Sequence, residues 1–371
     1  MQILHIAPLI ESLTEKIPGG GEQGALNLAI AQKEAGHNVS MICAKGSRLP
    51  VGIRAIDLDI PPGRLKPIQT SLCSHEVKVD FFHLCEVQSR EEEIFGKVES
   101  FLLKNRNTFN IVHNHAYDRY PLFDLERVGI PLIHSLQLPP IIAWINDRFR
   151  KLPLSQSYIA PSHAMAKLYE DITGFKPKVI YYGINLREIP FVERPEDHFI
   201  WVGRISKEKG LHTAIELFQH KPDQRLIVIG RIYDSNYFEQ LKPKLSSSNI
   251  HYLGHLPHEK VLDEMGRAKA LLFPIEWDEP FGLVVAESLA AGTPVISFRR
   301  GAMSEIIRDG ETGFLAMERA GLENALDRVD SLSRYTCRKS VEERFSVEVM
   351  MKGYLAEYEN LIAFTKLMKP S

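Results

Sequence analysis

The sequence predicts an α/β protein of two domains, each formed by a doubly wound parallel sheet with helices on its faces. The chain of 371 residues exceeds the roughly 250 to 300 residues at which a single hydrophobic core stops growing. Short apolar runs rich in Ile and Val alternate with longer segments of helical period, which is typical of parallel sheets. This alternation occurs twice, and a polar segment with Gly183 and two prolines separates the two series.

The apolar runs locate the strands and the domain boundary. We expect the boundary between Gly183 and Pro195, which gives a first domain of residues 1–187 and a second domain of residues 188–345. After Phe345 the chain ends in one segment whose apolar residues recur at helical spacing. The predicted strands lie near residues 3–7, 39–44, 111–114, 132–136, 158–160 and 178–181 in the first series, and near residues 199–202, 226–229, 250–253, 270–273 and 294–298 in the second.

Composition limits the classes of protein to consider. A formal net charge of -2 and a charged fraction of 25% describe a soluble globular chain with no bias toward polyanions, so nucleic acid is not an expected partner. The four cysteines are dispersed and form no C-x-x-C pair, which favours a reducing, cytoplasmic setting. No apolar run approaches about 18 residues, so no membrane span is expected. The basic stretch 144–152 allows at most peripheral membrane contact, and a solvated helix face is the favoured interpretation.

The segment IPGGGEQGAL, residues 17–26, matches the G-x-G-x-x-G pattern of dinucleotide-binding loops. In such a loop the first glycine follows its strand directly, and an acidic residue about 20 positions later binds the ribose. Here about eleven residues separate Ala7 from Gly19, and the end of the next strand carries Lys45 rather than an acidic residue. NAD binding is therefore not expected.

The same glycines still favour a ligand. Successive glycines let the backbone approach a ligand closely, and a helix from about Glu22 would direct free N–H groups and a partial positive charge at that place. The segment therefore predicts an anion site before this helix, with a flexible surface turn as the alternative.

A second anion site is predicted in the second domain. The stretch WVGRISKEKGLHTAIELF places Arg204 and Lys209 in the loop between an apolar strand and a helix. This loop lies at the carboxyl end of a parallel sheet, where α/β proteins bind ligands. Two cations beside a helix N-terminus suit a diphosphate without a metal ion.

Glu279 and Glu287 are eight residues apart, so a helix that begins near Phe281 would place both carboxylates along one line. They could then bind different hydroxyls of one extended ligand. The N–H groups of Phe281, Gly282 and Leu283 would be free to cap phosphate or sugar oxygens. A solvated Glu287 is the alternative, but its neighbours are apolar, and a carboxylate in such a segment needs a partner from the ligand or the protein.

Several of these stretches resemble a known family. WVGRISKEKG, LGHLPHEKVLDEM, LLFPIEWDEPFGLVVAESLAAGTPVISFRRG and EIIRDGETGFL closely resemble the retaining glycosyltransferases of family 4. GGGEQGALNLAIAQKEAGHNVSMICA and FNIVHNHAYD resemble the acceptor domain of the same family. The resemblance implies the GT-B fold, in which two Rossmann-like domains face each other across a cleft. It also implies that the C-terminal helix, here residues 346–371, crosses back to complete the first domain.

The resemblance implies roles for individual residues. Arg204 and Lys209 would hold the diphosphate of a nucleotide-sugar, Glu279 would bind hydroxyls of the donor sugar, and these three are the candidate catalytic residues. Glu287 would bind the nucleotide ribose. The other candidate donor-binding residues are Gly20 and Gly21 at the donor phosphate, His255 and Leu256 at the base through their backbone, Arg231, and the helix start at Phe281, Gly282 and Leu283.

The acceptor side departs from the family pattern. The family commonly has a histidine after the strand that here reads PLIHSLQLP, and Gln137 occupies that position. Glutamine donates a hydrogen bond but cannot transfer a proton. His115 is the other candidate for the acceptor cleft, with a packed structural histidine as the alternative. A metal bound by His113 and His115 is not favoured, and neither a metal nor another cofactor is expected.

The predicted activity is that of a hexosyltransferase of the EC 2.4 class. It would move a hexose-type sugar from a nucleotide-sugar, with a UDP-sugar favoured, to a hydroxyl of a saccharide, lipid or small molecule, with retention. We favour same-face attack guided by the leaving phosphate over a covalent intermediate. The alternatives are a phosphorylase or epimerase with this fold, and a non-catalytic subunit that binds nucleotide-sugar, which Gln137 keeps open.

Overall fold

The computed structural model describes residues 1–9, 11–13, 19–63, 81–116, 125–140 and 156–368, with only the backbone given for residues 81–89, 126, 246 and 368. The chain forms two compact units. The first consists of Met1–Gly183 and Val347–Ser371, and the second of Ile184–Ser346. The basic stretch 144–152 and the start of the glycine segment, residues 17 and 18, lie outside the described residues.

The first unit is built on a parallel sheet that has seven strands within the described residues, in the order β3-β2-β1-β4-β5-β6-β7. The central strands of this sheet are buried on both faces, although polar residues such as His5, His113 and Ser157 lie among their apolar residues. Its strands are β1 (Gln2–Ile6), β2 (Asn38–Ile42), β3 (Arg54–Ile56), β4 (Ile111–Asn114), β5 (Leu132–Ser135), β6 (Gln156–Ala160) and β7 (Lys178–Val179). The sequence did not predict β3, because it is short and two of its three residues are exposed at the sheet edge.

Helices cover both faces of this sheet. They are α1 (Gly20–Glu34), α2 (Phe81–Lys104), α3 (His163–Thr173) and the helix Val347–Met368, which we call the C-terminal helix. The C-terminal helix packs Met350, Tyr354 and Tyr358 into one apolar cluster with Leu28 of α1 and Ile3 of β1. The last helix of the chain therefore belongs to the core of the first unit.

The second unit repeats the plan with a parallel sheet in the order β10-β9-β8-β11-β12-β13, six strands among the described residues. Its strands are β8 (Phe199–Val202), β9 (Leu226–Ile229), β10 (Ile250–Tyr252), β11 (Ala270–Phe273), β12 (Val295–Phe298) and β13 (Gly313–Ala316). The sequence did not predict β13, which begins with a glycine and has only three apolar residues. A β-carbon at Gly313 would overlap the backbone oxygen of Val295 on β12, so this close pairing requires glycine.

The helices of the second unit are α4 (Leu211–Gln219), α5 (Ser235–Leu241), α6 (His258–Arg267), α7 (Leu283–Ala290), α8 (Met303–Ile306), α9 (Arg319–Arg328) and α10 (Arg334–Arg344). Trp201 of β8 is fully buried in its core, and its indole N–H donates to the backbone oxygen of Lys209 at 3.3 Å. In the part of the chain that the structure describes, no helix has the length and apolarity needed to cross a membrane.

The strand order in each sheet reverses at one point, between β1 and β4 in the first unit and between β8 and β11 in the second. Open parallel sheets bind ligands outside the carboxyl ends of their strands at such a switch point. In the second unit, β8 leads into Gly203 and Arg204, and β11 leads into the segment 274–279. The candidate residues of both loops therefore lie where the topology favours a ligand.

Candidate active site

A buried ion pair lies at the switch point of the second sheet. The Nζ atom of Lys209 is 2.6 Å from Oε2 of Glu279, and the indole N–H of Trp277 donates to the same oxygen at 2.7 Å. The two charged side chains are only 12% and 14% exposed. Both donors therefore fix the Glu279 carboxylate in one orientation.

Aromatic rings surround the Lys209 ammonium group. Its Nζ atom is 5.2 Å from the centre of the Trp277 ring and 5.6 Å from that of the Phe273 ring, within the range of cation–π attraction. The two rings shield the ammonium group from water. Phe273 has no hydrogen-bond donor of its own, so it does not compete with Lys209 for Glu279. Within the described residues the ammonium is paired with one carboxylate, that of Glu279, and it is largely shielded from solvent.

Two glycines allow backbone segments of this site to pack closely against each other. Gly301 donates its N–H to Oδ1 of Asp278 at 3.1 Å, and a β-carbon at residue 301 would overlap the backbone of Glu279. Gly210 follows Lys209 with φ +68°, and a β-carbon there would overlap the backbone oxygen of Pro274. The backbone positions of Lys209 and Glu279 are therefore fixed by close approach at residues where only glycine fits.

Arg204 pairs with a different carboxylate. Its guanidinium lies 3.2 Å from Oε1 of Glu208 and 5.0 Å from the ring centre of Tyr233. Ser206 donates to the same Glu208 oxygen at 2.6 Å, so this carboxylate is oriented as well. Among the described residues, the Nε atom of Arg204 is buried without a hydrogen-bond partner. The N–H at Nε therefore has no acceptor in the described part of the protein.

The loops after β9 and β10 contain the other predicted donor-binding residues. The backbone oxygen of Arg231 accepts from Ile205 at 2.8 Å, while its side chain is exposed. Gly254 accepts from Gly230 at 2.9 Å and directly precedes His255 and Leu256, which are exposed and half-buried respectively. The backbone of these loops is thus tied to the ends of neighbouring strands.

Helix α7 begins at Leu283, two residues later than the sequence indicated. Gly282 is its N-cap residue with φ +98°, and this left-handed conformation separates Phe281 from the helix. The Phe281 side chain is buried and packs edge-on against Phe345 at 5.7 Å. Among the described residues, the N–H groups of Leu283 and Val284 have no backbone acceptor, whereas those of Val285 and Ala286 donate to the backbone oxygen of Gly282.

Glu287 has a protein partner that the sequence did not reveal. Its Oε1 atom is 3.0 Å from Nε2 of His258, the first residue of α6. The hydrogen bond to Glu287 raises the pKa of His258 above 6.5, although burial opposes this. The apolar neighbours of Glu287 had indicated a partner, but a histidine from a separate helix gives no local sequence signal.

In the first unit, Gly20 and Gly21 form the start of α1, two residues earlier than the predicted helix start near Glu22. The N-cap residue is Gly19, and the side chain of Glu22 folds back over it so that a β-carbon there would overlap Oε2. Burial raises the pKa of the Glu22 carboxyl group. An anion at this helix N-terminus would therefore meet a carboxyl group that burial already disposes toward its neutral form.

His115 and Gln137 are buried and lie together, with Gln137 Nε2 3.4 Å from Nδ1 of His115. Because the amide N–H of Gln137 donates, Nδ1 of His115 is the acceptor, and the ring proton of His115 is on Nε2. This Nε2–H donates a hydrogen bond to Nδ1 of His5 at 2.9 Å. His5 then donates from Nε2 to Gln32 at 2.8 Å. The candidate acceptor residues therefore begin a directional series of buried hydrogen bonds.

This series, which we call the histidine chain, continues to the C-terminal helix. Gln32 donates to Tyr358 at 3.1 Å, and Tyr358 donates to Nδ1 of His113 at 2.6 Å. His113 donates to Ser135 at 2.8 Å, and Ser135 reaches Tyr354 at 3.1 Å. Its members in order are Gln137, His115, His5, Gln32, Tyr358, His113, Ser135 and Tyr354.

The ring nitrogens of His5, His113 and His115 offer ligand atoms within 4.8 Å of one another, a grouping able to hold a metal ion. Each of their six ring nitrogens, however, has a hydrogen-bond partner in the histidine chain. Neutral imidazoles in a satisfied network account for this geometry. The absence of a metal requirement stays a prediction from the sequence.

The buried imidazoles of the first unit, namely the three of the histidine chain and His134 of β5, predict acid sensitivity. Burial lowers the pKa of His5 from 6.5 to about 4, that of His134 to about 3, and those of His113 and His115 well below 6.5. The unfolded chain therefore binds more protons below pH 6.5, and the free energy of unfolding falls as the pH decreases from 6.5 toward 4. Each imidazole contributes a slope of up to about 1.4 kcal/mol per pH unit.

Urea unfolding between pH 7 and 5 measures this slope, in a range above the titration of ordinary carboxylates. His134→Asn should reduce the slope, whereas the same change at the exposed His251 should not. A free energy of unfolding that stays constant from pH 7 to 5 would contradict the neutral, buried state of these imidazoles.

The fold and site together define a class of protein. Two Rossmann-like parallel-sheet units, with cations and carboxylates at the switch point of the second, describe the GT-B glycosyltransferases. Two family models together match residues 18–340: Glycosyltransferase Family 4 at residues 18–188 and Glycosyl transferases group 1 at residues 185–340. The chain therefore belongs to the family 4 glycosyltransferases, and the predicted family and fold class are confirmed.

Individual relatives agree with this assignment. A glycogen synthase of Mycobacterium tuberculosis is 33% identical over 162 residues, which cover 41% of this chain and 39% of the relative. The chain thus spans well under half the length of that relative. A D-inositol 3-phosphate glycosyltransferase of Acidothermus cellulolyticus is 22% identical, with 98% of this chain and 90% of the relative covered.

Solved structures share the fold over the whole chain. A sucrose-phosphate synthase of Thermosynechococcus elongatus is similar with a TM-score of 0.73 at 18% identity, and 98% of this chain and 100% of the other are covered. Anabaena HepE, in complex with UDP and glucose, gives a TM-score of 0.68 at 15% identity, with 97% and 99% covered. At this level of identity the likeness establishes the GT-B fold alone.

Proposed function

We propose that this chain transfers a hexose-type sugar from a nucleotide-sugar, with a UDP-sugar as the favoured donor, to a hydroxyl acceptor with retention. The observation that carries the proposal is the buried Lys209–Glu279 pair at the switch point of the second sheet. Burying an isolated ion pair usually costs stability. The Lys209–Glu279 pair lies at the ligand-binding edge of the sheet, which favours a role in binding and catalysis.

The chemistry of the transfer matches these groups. The transition state is oxocarbenium-like at the sugar, and negative charge develops on the departing diphosphate. Lys209, Arg204 and the N–H groups at the start of α7 can stabilise that charge, while Glu279 binds sugar hydroxyls and Glu287 binds the ribose. The UDP and glucose in the HepE structure support a UDP-sugar as the donor.

Retention follows most simply from same-face attack. Oε2 of Glu279 already accepts hydrogen bonds from Lys209 and Trp277, and these stabilise the carboxylate and reduce its nucleophilicity. This favours a carboxylate that binds hydroxyls over one that forms a covalent glycosyl intermediate. The leaving phosphate oxygen would accept the proton of the acceptor hydroxyl, so a glutamine at position 137 does not prevent the reaction.

Donor binding is tested by thermal unfolding with UDP-glucose, GDP-mannose and ADP-glucose. A ligand at 100 times its dissociation constant stabilises the folded state by about 2.7 kcal/mol. We expect UDP-glucose to give the largest rise in melting temperature, without added metal. The variant Glu287→Gln should lose most of the rise. If none of the three raises the melting temperature of the wild type, the proposed function is wrong.

Gln137 supports one alternative, a subunit that binds nucleotide-sugar without turning it over. The amide lies where a proton-transferring side chain is expected, and its donation to His115 holds that histidine in one tautomer. This alternative predicts the same thermal shift but no release of nucleotide from the donor. Release of UDP from UDP-glucose by the purified chain, with or without an acceptor, would exclude it.

A further inference from the structure

We propose that His258 is a positioning residue for the nucleoside part of the donor. It orients the Glu287 carboxylate and links it to the loop of His255 and Leu256, which is assigned to the base. This inference rests on the proposed function, which assigns the ribose to Glu287.

The contact between the two side chains is specific. Nε2 of His258 lies 3.0 Å from Oε1 of Glu287, and Glu287 is 14% exposed whereas His258 is 52% exposed. The neighbours Val285 and Ala286 on α7 are fully buried, and Glu287 is the one charged side chain of this helix, Leu283–Ala290. Among the described residues, His258 is the one hydrogen-bond partner recorded for this carboxylate.

The pair leaves room for a ligand. An ionised carboxylate has about four acceptor sites, and His258 uses one of them on Oε1. The remaining sites on Glu287 can accept from both hydroxyls of a ribose while the histidine stays in place. His258 therefore reduces the orientations open to Glu287 without blocking the group that binds the sugar of the nucleotide.

His258 also occupies a structurally informative position. It is the first residue of α6 and directly follows Leu256 and Pro257, in the loop assigned to the base. A cation at a helix N-terminus is disfavoured by the helix dipole, so α6 itself gains nothing from a protonated histidine there. The hydrogen bond to Glu287 nevertheless raises the pKa of His258. One charge-assisted contact therefore joins the loop before α6 to α7.

This contact predicts a pH dependence of donor binding. The charged groups that act on His258 are Glu287 from α7 and Glu188 from the segment before β8, and both raise its pKa. The diphosphate of a nucleotide-sugar is esterified at both ends and has no proton to lose near neutral pH. Loss of the His258 proton above pH 6.5 weakens its hydrogen bond to Glu287 and removes a positive charge near the donor site. The affinity for the anionic nucleotide-sugar should therefore fall as the pH rises.

The test is calorimetric titration with whichever of UDP-glucose, GDP-mannose and ADP-glucose binds the wild type most tightly. We expect the wild-type dissociation constant to rise about threefold or more between pH 6.5 and 8.5. His258→Gln, which keeps a donor but cannot carry charge, should bind about 3 to 10 times more weakly at pH 6.5 and show no such rise. KM should increase with little change in kcat, and circular dichroism should confirm the fold.

Two controls make the result decisive. His251→Gln, at an exposed histidine of β10, should match the wild type at both pH values. In a Glu287→Gln background, His258→Gln should have little further effect, because the partner is already lost. Equal affinity and an equal pH profile for wild type and His258→Gln would overturn the inference alone. No binding of any nucleotide-sugar by the wild type would overturn the proposed function as well.

Discussion

Lys209→Ala should lower kcat/KM for sugar transfer by at least about 1,000-fold, which corresponds to about 4 kcal/mol of transition-state stabilisation. The change removes the cation assigned to the leaving diphosphate. It also leaves the Glu279 carboxylate, 14% exposed, with Trp277 as its remaining recorded donor. Both losses act on the same transition state, so we expect the effect mainly in kcat.

A matched control lies two residues away. Lys207 is exposed in the same short turn, Lys207–Lys209, and its replacement by alanine removes the same charge from the chain. We expect Lys207→Ala to retain activity within a factor of about three, since a surface charge contributes little. Lys209→Arg tests geometry, because it keeps the positive charge but replaces the compact ammonium with a planar guanidinium. Activity of Lys209→Ala within tenfold of wild type would refute the role of the ion pair.

Gly301→Ala should both destabilise the second unit and abolish activity. Gly301 has φ +50°, and an added β-carbon would overlap the backbone nitrogen and oxygen of Glu279. The overlap cannot be relieved by a side-chain rotation, because the atoms belong to the backbone that carries Glu279. We expect a loss of more than about 3 kcal/mol in the free energy of unfolding, measured with urea, and loss of transfer in the folded fraction.

Gly310→Ala separates strain from overlap. Gly310 also has a positive φ, +79°, but a β-carbon there would meet no atom within 4 Å. The variant should lose only about 1 kcal/mol, the cost of the left-handed conformation, and should keep its activity. Equal destabilisation by the two variants would show that the close approach to Glu279 has no separate effect.

Much of the second unit could be predicted from local sequence. β8, β9 and β11 are continuous apolar runs, and such runs indicate buried parallel strands without any knowledge of their neighbours in the fold. β3 was missed because only one of its three residues is buried, and β13 was missed because it begins with Gly313 rather than with an apolar side chain. Local pattern therefore locates the central strands better than the strands at the sheet edges.

The pairing of side chains could not be predicted in this way. Lys209 and Glu279 were expected to bind different parts of the ligand, yet the fold brings them within 2.6 Å of each other across 70 positions of sequence. His258 and Glu287 meet from two separate helices. Such contacts depend on strand order, which one sequence read locally does not specify.

The histidine chain shows the same limit in the first unit. His115 and Gln137 were singled out individually, whereas His5 was not, because it lies within an apolar strand more than a hundred positions away. Tyr358 joins the chain from the opposite end of the sequence. The parallel register of β1 with β4, in which His5 lies opposite His113, explains why these side chains meet.

Time-resolved proton NMR of the first product can show whether the Lys209–Glu279 site transfers sugar with retention. The purified chain is incubated with UDP-glucose, GDP-mannose or ADP-glucose, and the anomeric signal is recorded before mutarotation. We predict that the α-linked donor yields the α-anomer first, by slow hydrolysis or by transfer to an added hydroxyl acceptor, and that Lys209→Ala abolishes the signal. A first-formed β-anomer would show that the enzyme inverts the configuration, and turnover that persists without Lys209 would show that this residue does not carry the reaction.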